Sequence, residues 1–587
     1  MSPEQTVSQP SLDDVIDDLR PELVFGLIGP IGSDLEKVRL QIKSQLSRFG
    51  YRSIPIKLTD GMRKLPHPSW RDLPTDIPRD TKYDTYMDAG NKLREFMERE
   101  DAMAMVGVNM IRQERETALA ARYKLRSEGK SLTPDNRAFV VDSLKTPEEI
   151  NLLRTIYGDR FIAIASHTPL GVRRQRLAHL IAESRHRQKA EDFIPRADEL
   201  ILRDQEEKEN RWGQNVSAAF PIADIFLDAT DVESISRDLR RAFDLLFGHP
   251  FISPSPHEYA MALAMRAAVR SSDISRQIGA AITLESNHSV VALGMNDVPS
   301  PRGQYWPGDE PDGRDFQRGE DSSYKKRRNV LADTIRSLLE SGWIPPGIAR
   351  EAIPNAPTAN AREEDGRGYD ATLYKLVEKY VDDLLQGSDN TGTRRLRRRL
   401  LVEDIIEFNR TVHAEMAAVL DAARRGVSVA GGTVYSMTFP CHECARHLIA
   451  VGIKEVQYIE PYPKSLVDEF YSEAIILDGV STSGPERDGP VVFKAFVGIA
   501  PRRFDEFFAI TVRKTKDGRL VDWDEGVAHP REDLFGIPHG NASVDTHARR
   551  AELNATVYRE NNAGRDFDSI FLAKGQRQES KPEGVGR

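Results

Sequence analysis

Residues 411–460 read TVHAEMAAVLDAARRGVSVAGGTVYSMTFPCHECARHLIAVGIKEVQYIE. An Ala-rich helical stretch follows His413 and stops at Gly426, and GGTVYSMTF then alternates as a strand. A second helix opens at Cys441 as CARHLIAVG, and EVQYIEP reads as the next strand. Upstream lie a long helix, YAMALAMRAAVRSSD, and two strands, IGAAITLE and SVVALGMN; downstream, VVFKAFVG reads as one more strand. Together these predict a mixed sheet sandwiched by helices. A charged segment between Asp315 and Val402, too long for an ordinary loop, is expected to be a helical insertion over or beside the site.

The same stretch carries chemistry. The chain has two cysteines, Cys441 and Cys444, three apart at the start of a helix, where they share one face and where the helix N-terminus favours thiolates. Two cysteines also exclude a disulfide framework and suit a reducing, cytoplasmic setting. With His413 they make one imidazole and two thiolates, which leaves a tetrahedral Zn2+ one open position, as in a catalytic rather than a structural site. Water there loses a proton near pH 7, its pKa lowered from about 15.7 to roughly 7. Glu415, two residues past the histidine, is placed to protonate N3 of a cytosine ring and to carry a proton to departing ammonia. This H-x-E and P-C-x-x-C pairing is the zinc deaminase signature. The competing reading is a structural zinc clip with a solvated Glu415, and His442 and His447 are rival ligands that the pattern does not use.

Composition sets the wider frame. At 587 residues the chain is expected to fold as two or more domains. Hydrophobic residues at 39% and charged ones at 29% suit a soluble globular protein. No apolar run reaches the eighteen or so residues of a membrane span, so no membrane partner is expected. The net charge of -9 argues against sequence-independent binding of nucleic acid over the whole surface.

Order is expected to begin after a polar tail (residues 1–20), at ELVFGLIGPIGSDLEKVRLQI. Here an apolar run enters a Gly-rich turn and then a helix with Leu35, Val38, Ile42 and Leu46 on one face. Further strands at AFVVDSL, RFIAIAS and ADIFLDA alternate with helices such as TPEEINLLRTIYG, capped by Thr146 and ended by Gly158. The fold class is therefore α/β throughout: a P-loop kinase-like parallel-sheet domain (21–247), then the zinc domain (248–510, insertion about 316–401). A C-terminal extension (511–560) and a flexible tail (561–587) follow.

The segment from Tyr259 resembles the opening of deoxycytidylate deaminases, through Arg270-Ser271, Arg276-Gln277-Ile278-Gly279 and Gly294-Met295-Asn296. With the zinc motifs the likeness covers about residues 255 to 500, interrupted by the insertion. It implies a cytidine deaminase-like α/β/α sandwich acting on free deoxycytidine nucleotides, with Asn296 on the sugar and a homo-oligomer, commonly a hexamer. Arg270, Arg276 and Lys464 are candidate phosphate contacts, since guanidinium forks pair with phosphate oxygens; surface ion pairs or a solvated lysine explain them equally. Together with the segments VFGLIGPIGSDLEKV, DSLKTPEEINLLRTIYGDRFIAI, WGQNVSAAFPIADIFLDAT and FKAFVGIAPRRFDEFF, the architecture resembles the bacterial anti-phage dCTP deaminases. That likeness implies conversion of dCTP, and of dCMP, to uracil nucleotides, starving phage DNA synthesis.

The N-terminal turn is a degenerate P-loop. Against G-x-x-x-x-G-K-[ST], with Gly32 as second glycine, Leu27 stands at the first glycine, Ser33 at the lysine and Asp34 at the hydroxyl. The amides from Gly29 through Gly32 to Ser33 remain candidates for holding an anion. Nucleotide hydrolysis, sensing of a regulatory nucleotide (ATP or a dNTP) and a purely structural turn stay open. The basic runs Lys325–Arg328 and Arg394–Arg399 read as solvated helix faces, or as contacts for an inhibitory RNA or a substrate triphosphate. Three rival functions remain: a deaminase of single-stranded DNA or RNA, an inactive nucleotide- or RNA-binding regulator, and a nucleotide kinase.

Overall fold

The computed structural model describes residues 21–128, 136–207, 210–301, 303–308, 312–341, 405–460, 465–478, 489–509, 512–526, 528–531 and 555–571, with Trp343, Val377, Val381, Val402 and Lys574. Lys464 and the run Arg394–Arg399 lie outside the described residues, as do residues 1–20.

The first sheet is built from β1 (Leu23–Ile28), β2 (Tyr51–Lys57), β3 (Asn136–Leu144), β4 (Phe161–His167) and β5 (Ile225–Asp228), all parallel, in the order β5-β4-β1-β3-β2. Strand alternation on β1 divides two cores. Leu23, Phe25 and Leu27 face the helices Leu35–Arg48 and Val232–Leu246, whereas Val24 and Ile28 face Ala102–Ser127 and Pro147–Tyr157. The N-cap read from the sequence is present: Thr146 forms a reciprocal capping box with Glu149. Asp34, read only against the hydroxyl position of a phosphate loop, also caps its helix by accepting from Lys37 N.

The second sheet contains β6 (Gly279–Thr283), β7 (Val290–Met295), β8 (Thr433–Ser436), β9 (Glu455–Tyr458), β10 (Ile475–Leu477) and β11 (Val491–Ala495), in the order β10-β11-β9-β8-β6-β7. Strands β6, β7 and β8 are antiparallel neighbours, while β8, β9, β11 and β10 run parallel. The helices Ala414–Arg424 and His442–Ala450 cover one face, and Pro256–Ala268 packs on β6 from the other. The mixed sheet expected between helices is thus observed.

Three features depart from the sequence reading. First, a strand of two residues, β12 (Gly498–Ile499), leaves the second sheet and pairs antiparallel with β5 of the first. The boundary expected at residue 247 therefore does not divide the chain into independent units. Ala260, Met261, Ala264, Ala281 and Tyr435 share one core with Phe139, Phe161 and Phe226. Second, the extension past 511 is tied back to the first domain: Trp523 donates to Phe247 O (3.1 Å) and packs beside Phe49. Third, the stretch expected to be loose from 561 is helical over 555–571. Phe567 and Phe571 are buried against Trp70 and Phe96, and the Glu560 carboxylate pairs with buried Arg115. Apolar burial of two aromatic rings outweighs the polar, Gly-containing composition that suggested a tail.

Glu258 locks the two sheets together. Its carboxylate, 1% exposed, accepts from Arg241 Nη1 and Nη2 (both 2.7 Å), from Ser255 N (2.7 Å) and from Ile499 N of β12 (2.9 Å). Replacing it by alanine leaves the Ser255 and Ile499 amides without their acceptor, while Arg241 retains the Ser253 carbonyl. Glu258→Ala should destabilise the chain by about 1–3 kcal/mol, read as a lower urea midpoint. An unchanged midpoint would show that the domains are held by apolar packing alone.

Candidate metal and catalytic site

The helices Ala414–Arg424 and His442–Ala450 begin beside each other over the edge of the second sheet, with His413 and Cys441 as their N-cap residues. Gly294 of β7 makes this placement possible. A Cβ there would overlap the Ala414 carbonyl and the Ala418 amide, so the first turn of the His413 helix lies directly on the strand.

His413, Cys441 and Cys444 bring their ligand atoms within 4.8 Å of one another. His413 Nδ1 is 3.2 Å from Cys441 Sγ, and Cys441 Sγ caps its helix by accepting from Cys444 N (3.4 Å). Bonds of about 2.0–2.3 Å in a tetrahedron separate ligand atoms by roughly 3.5 Å, so one nitrogen and two sulfurs at these separations fit a zinc ion. The titration of the three groups is interlocked. A hydrogen bond from the Cys444 thiol, and beyond it His413, outweighs burial and holds Cys441 down to about 4. The bond to Cys441 raises His413 to about 9 against burial, while the same sulfur contact and burial push Cys444 well above its usual range.

Glu415 lies in the same cavity, 3% exposed, where Ser436 Oγ of β8 donates to its Oε1 (2.7 Å). Burial first, and then the charge on Cys441, raise the Glu415 pKa; the serine bond acts the other way. A carboxyl raised in this manner suits proton transfer near neutral pH. Ser436 was not visible in the sequence. Its contact depends on the register that sets β8 beside β6, not on any local spacing.

The cavity measures about 320 Å³. Its walls come from residues 273–278, Asn296, the start of the insertion (Asp315, Asp321, Ser323, Arg327), residues 405–411 and the metal-ligand turns. Among the expected substrate contacts, Arg276 and Asn296 line it. The Asn296 amide is engaged with backbone: Oδ1 accepts from Ile278 N (2.7 Å) and Nδ2 donates to Arg276 O (2.8 Å). Asn296 thus shapes the wall that carries Arg276. Arg270 is not in this wall; its guanidinium lies 3.6 Å from the centre of the Tyr305 ring, a stacking that the arginine-to-phosphate reading did not foresee. His442 faces Glu407 (3.7 Å) and the edge of the Phe470 ring, away from the three ligands.

Around the N-terminal turn lies a second cavity, of about 610 Å³, lined among others by Gly29, Gly32 and Ser33. Here the structure differs from an anion seat. Ile31 N donates to the buried Asp204 carboxylate (2.7 Å), Ser33 N to Pro30 O (3.1 Å), and Lys145 Nζ bridges Gly29 O (3.0 Å) and Asp204 (2.8 Å). The protein's own carboxylate stands where an anion would accept. From this turn, contacts run through Arg173 and the adjoining loop to His167, whose Nε2 is 3.1 Å from Asp478. Tyr458 also donates to Asp478 (3.2 Å) and packs on Phe439, a wall residue of the cavity that contains Glu415.

Residues 254–460 match the family model described as the cytidine and deoxycytidylate deaminase zinc-binding region. This stretch is a deaminase-family domain. ComE operon protein 2 of Bacillus subtilis (strain 168) is 36% identical over 124 residues, 21% of this chain and 60% of that protein. The deoxycytidylate deaminase of Enterobacteria phage T2 is 44% identical over 54 residues, 9% of this chain and 29% of its own length. A probable deoxycytidylate deaminase of Drosophila melanogaster is 46% identical over 48 residues, 8% of this chain and 23% of its own. The chain thus spans less than two thirds of each of these relatives. The dCMP deaminase of cyanophage S-TIM5, solved with dCMP and dUMP, aligns with 41% of this chain and 98% of that chain at 16% identity, with a TM-score of 0.19, too low to bear on the fold. Among the described residues no helix is long and apolar enough to cross a membrane.

The interlocked titration predicts a proton count. At pH 7, below the raised values of His413 and Cys444 and above that of Cys441, the metal-free trio holds an imidazolium, a thiolate and a thiol. Zinc binding should expel about two protons at pH 7, and its apparent affinity should rise with pH, steeply up to about 9, where His413 loses its proton, and further above it, where Cys444 still holds one. Calorimetry in buffers of different ionisation enthalpy measures this release; none released would contradict the ligand assignment.

Proposed function

We propose that the chain catalyses zinc-dependent hydrolytic deamination of free deoxycytidine nucleotides, dCTP and also dCMP, to uracil nucleotides and ammonia. The observation that carries this reading is the buried Glu415 carboxyl, held by Ser436 in one cavity with a nitrogen and two sulfurs grouped to hold zinc. When bound, zinc supplies the Lewis acidity that makes water nucleophilic near pH 7. Glu415, protonated more readily than a surface glutamate, donates to ring N3 as water adds to C4. It then takes up the water's proton and passes it to the C4 amino group, which leaves as ammonia. Ser436 keeps one carboxyl oxygen oriented and leaves the other for the substrate.

A free nucleotide suits this cavity better than a polynucleotide does. The first helix of the insertion (Ser322–Glu340) and residues 405–409 contribute to its walls, and the chain's net charge of -9 offers no general attraction to a long polyanion. With dCTP as substrate the activity drains a precursor of DNA synthesis, which is the anti-phage role implied by the family resemblance. The first domain is read as support for the deaminase. Its turn lacks the P-loop lysine, and Asp204 already takes the Ile31 amide, which disfavours nucleotide hydrolysis there.

The test is a panel of dCTP, dCMP and a cytosine-containing oligonucleotide, with ammonia and uracil product measured. Conversion of the free nucleotides is expected; conversion of the oligonucleotide alone overturns the substrate reading. Glu415→Gln should retain bound zinc and lose at least about a hundredfold in turnover. Full activity in that variant would remove Glu415 from the reaction.

A further inference from the structure

The sequence left the basic run Lys325–Arg328 open between a solvated helix face and contacts for an inhibitory RNA or a substrate triphosphate. The structure separates its members. Lys325 pairs with Glu320 at the surface. Arg327, which has interactions of its own, lies on the wall of the cavity that contains Glu415, with Ser323 one helical turn before it on the same face. Arg276 lies on the same cavity but comes from a different segment, next to the strand that carries Asn296. Two guanidinium groups from separate parts of the chain therefore border the space that contains Glu415.

The carboxylates of this wall are already engaged. Asp273 accepts from Thr411 Oγ1 (2.8 Å) and from the amides of Ser275 and Arg276. Asp315 accepts from Arg410 (2.6 Å), and Asp321 caps its helix by accepting from Tyr324 N (2.9 Å). Among the described residues no carboxylate lies within ion-pair distance of Arg276. The insertion is also anchored where it enters. Arg410, three residues before His413, holds both Asp315 and Gly313 O (3.1 Å), and Ser322 Oγ donates to Asp315 (3.3 Å). The helix bearing Arg327 is thereby positioned by the same turn that presents His413.

We propose that Arg327, on the first helix of the insertion, is a specificity residue that reads the outer phosphates of a deoxycytidine triphosphate, while Arg276 serves the phosphate common to mono- and triphosphates. This rests on the proposed deaminase reading for its substrate and adds a role for the insertion. A monophosphate is matched by one guanidinium fork; a triphosphate, with about twice the charge and more oxygens, requires a second cation at the cavity. The insertion supplies it from outside the sheet and the proposed metal ligands.

The experiment measures equilibrium binding of dCTP, dCMP and deoxycytidine to the full chain and to Arg327→Gln and Arg327→Lys, with unfolding midpoints recorded for each. Arg327→Gln is expected to weaken dCTP at least tenfold and dCMP less than threefold, with Arg327→Lys recovering part of the loss. Equal weakening of all three ligands, deoxycytidine included, would make Arg327 a structural residue and overturn the proposal, as would unaltered dCTP binding. Turnover by the unsubstituted chain is measured beside binding. Its absence with the Arg327-dependent preference for dCTP intact would unseat the deaminase reading and leave the specificity assignment standing. Failure of all three ligands to bind would overturn both.

Discussion

Three ligand atoms and a proton carrier can meet only if two helices begin at the same point over one sheet. That constraint governs the second domain. The His413 helix contributes the nitrogen and Glu415, and the Cys441 helix contributes both sulfurs; displacing either start would break up the group, because each cap residue is itself one of the proposed zinc ligands. Gly294 lets the first helix rest on β7 without an intervening side chain. Ser436 then reaches Glu415 from β8 because alternate residues of that strand face the helices. The carboxyl is buried beside the charged Cys441 sulfur, and burial first and that charge second raise its pKa.

The domains are mechanically joined. A common apolar core passes from β1 and β4 to the helix Pro256–Ala268, and Glu258 adds a buried polar lock to β12. The contacts from the glycine turn through His167, Asp478 and Tyr458 to Phe439 give physical contiguity between the two cavities. Contiguity alone is not energetic coupling, which requires two arrangements that both sites bias. What it does establish is that the first domain bears on the wall of the cavity that contains Glu415 and not on a remote surface.

Legibility in the sequence followed distance along the chain. His413 and Glu415, and Cys441 and Cys444, are separated by two and three residues, so helix geometry alone places each pair. Apolar runs and alternation marked most strands, but not β2 (Tyr51–Lys57) or β10 (Ile475–Leu477), which the sequence reading did not find. Contacts between distant segments were not legible. Ser436 is 21 residues from Glu415 and meets it only through sheet register. Arg270 looked equivalent to Arg276 until Tyr305, 35 positions on, was found beneath it. The Gly29–Ser33 turn matched a phosphate loop in outline, yet Asp204, 173 residues beyond Ile31, takes its amide. Two residues of β12 are too short for any periodic signal, and the helix 555–571 is stabilised by tertiary burial of Phe567 and Phe571, not by its own composition.

The placement of β12 has a consequence for how the protein is made. A ribosome releases β1 to β5 long before residue 499, so during synthesis the first sheet carries β5 as an open edge, able to pair with another chain. That edge closes only after the whole deaminase segment has emerged, and Arg115 keeps its second carboxylate partner waiting until Glu560 arrives. Completion of the first sheet therefore waits on a strand that begins 270 residues after β5 ends, and a nascent chain presents that open edge throughout the synthesis of the intervening stretch.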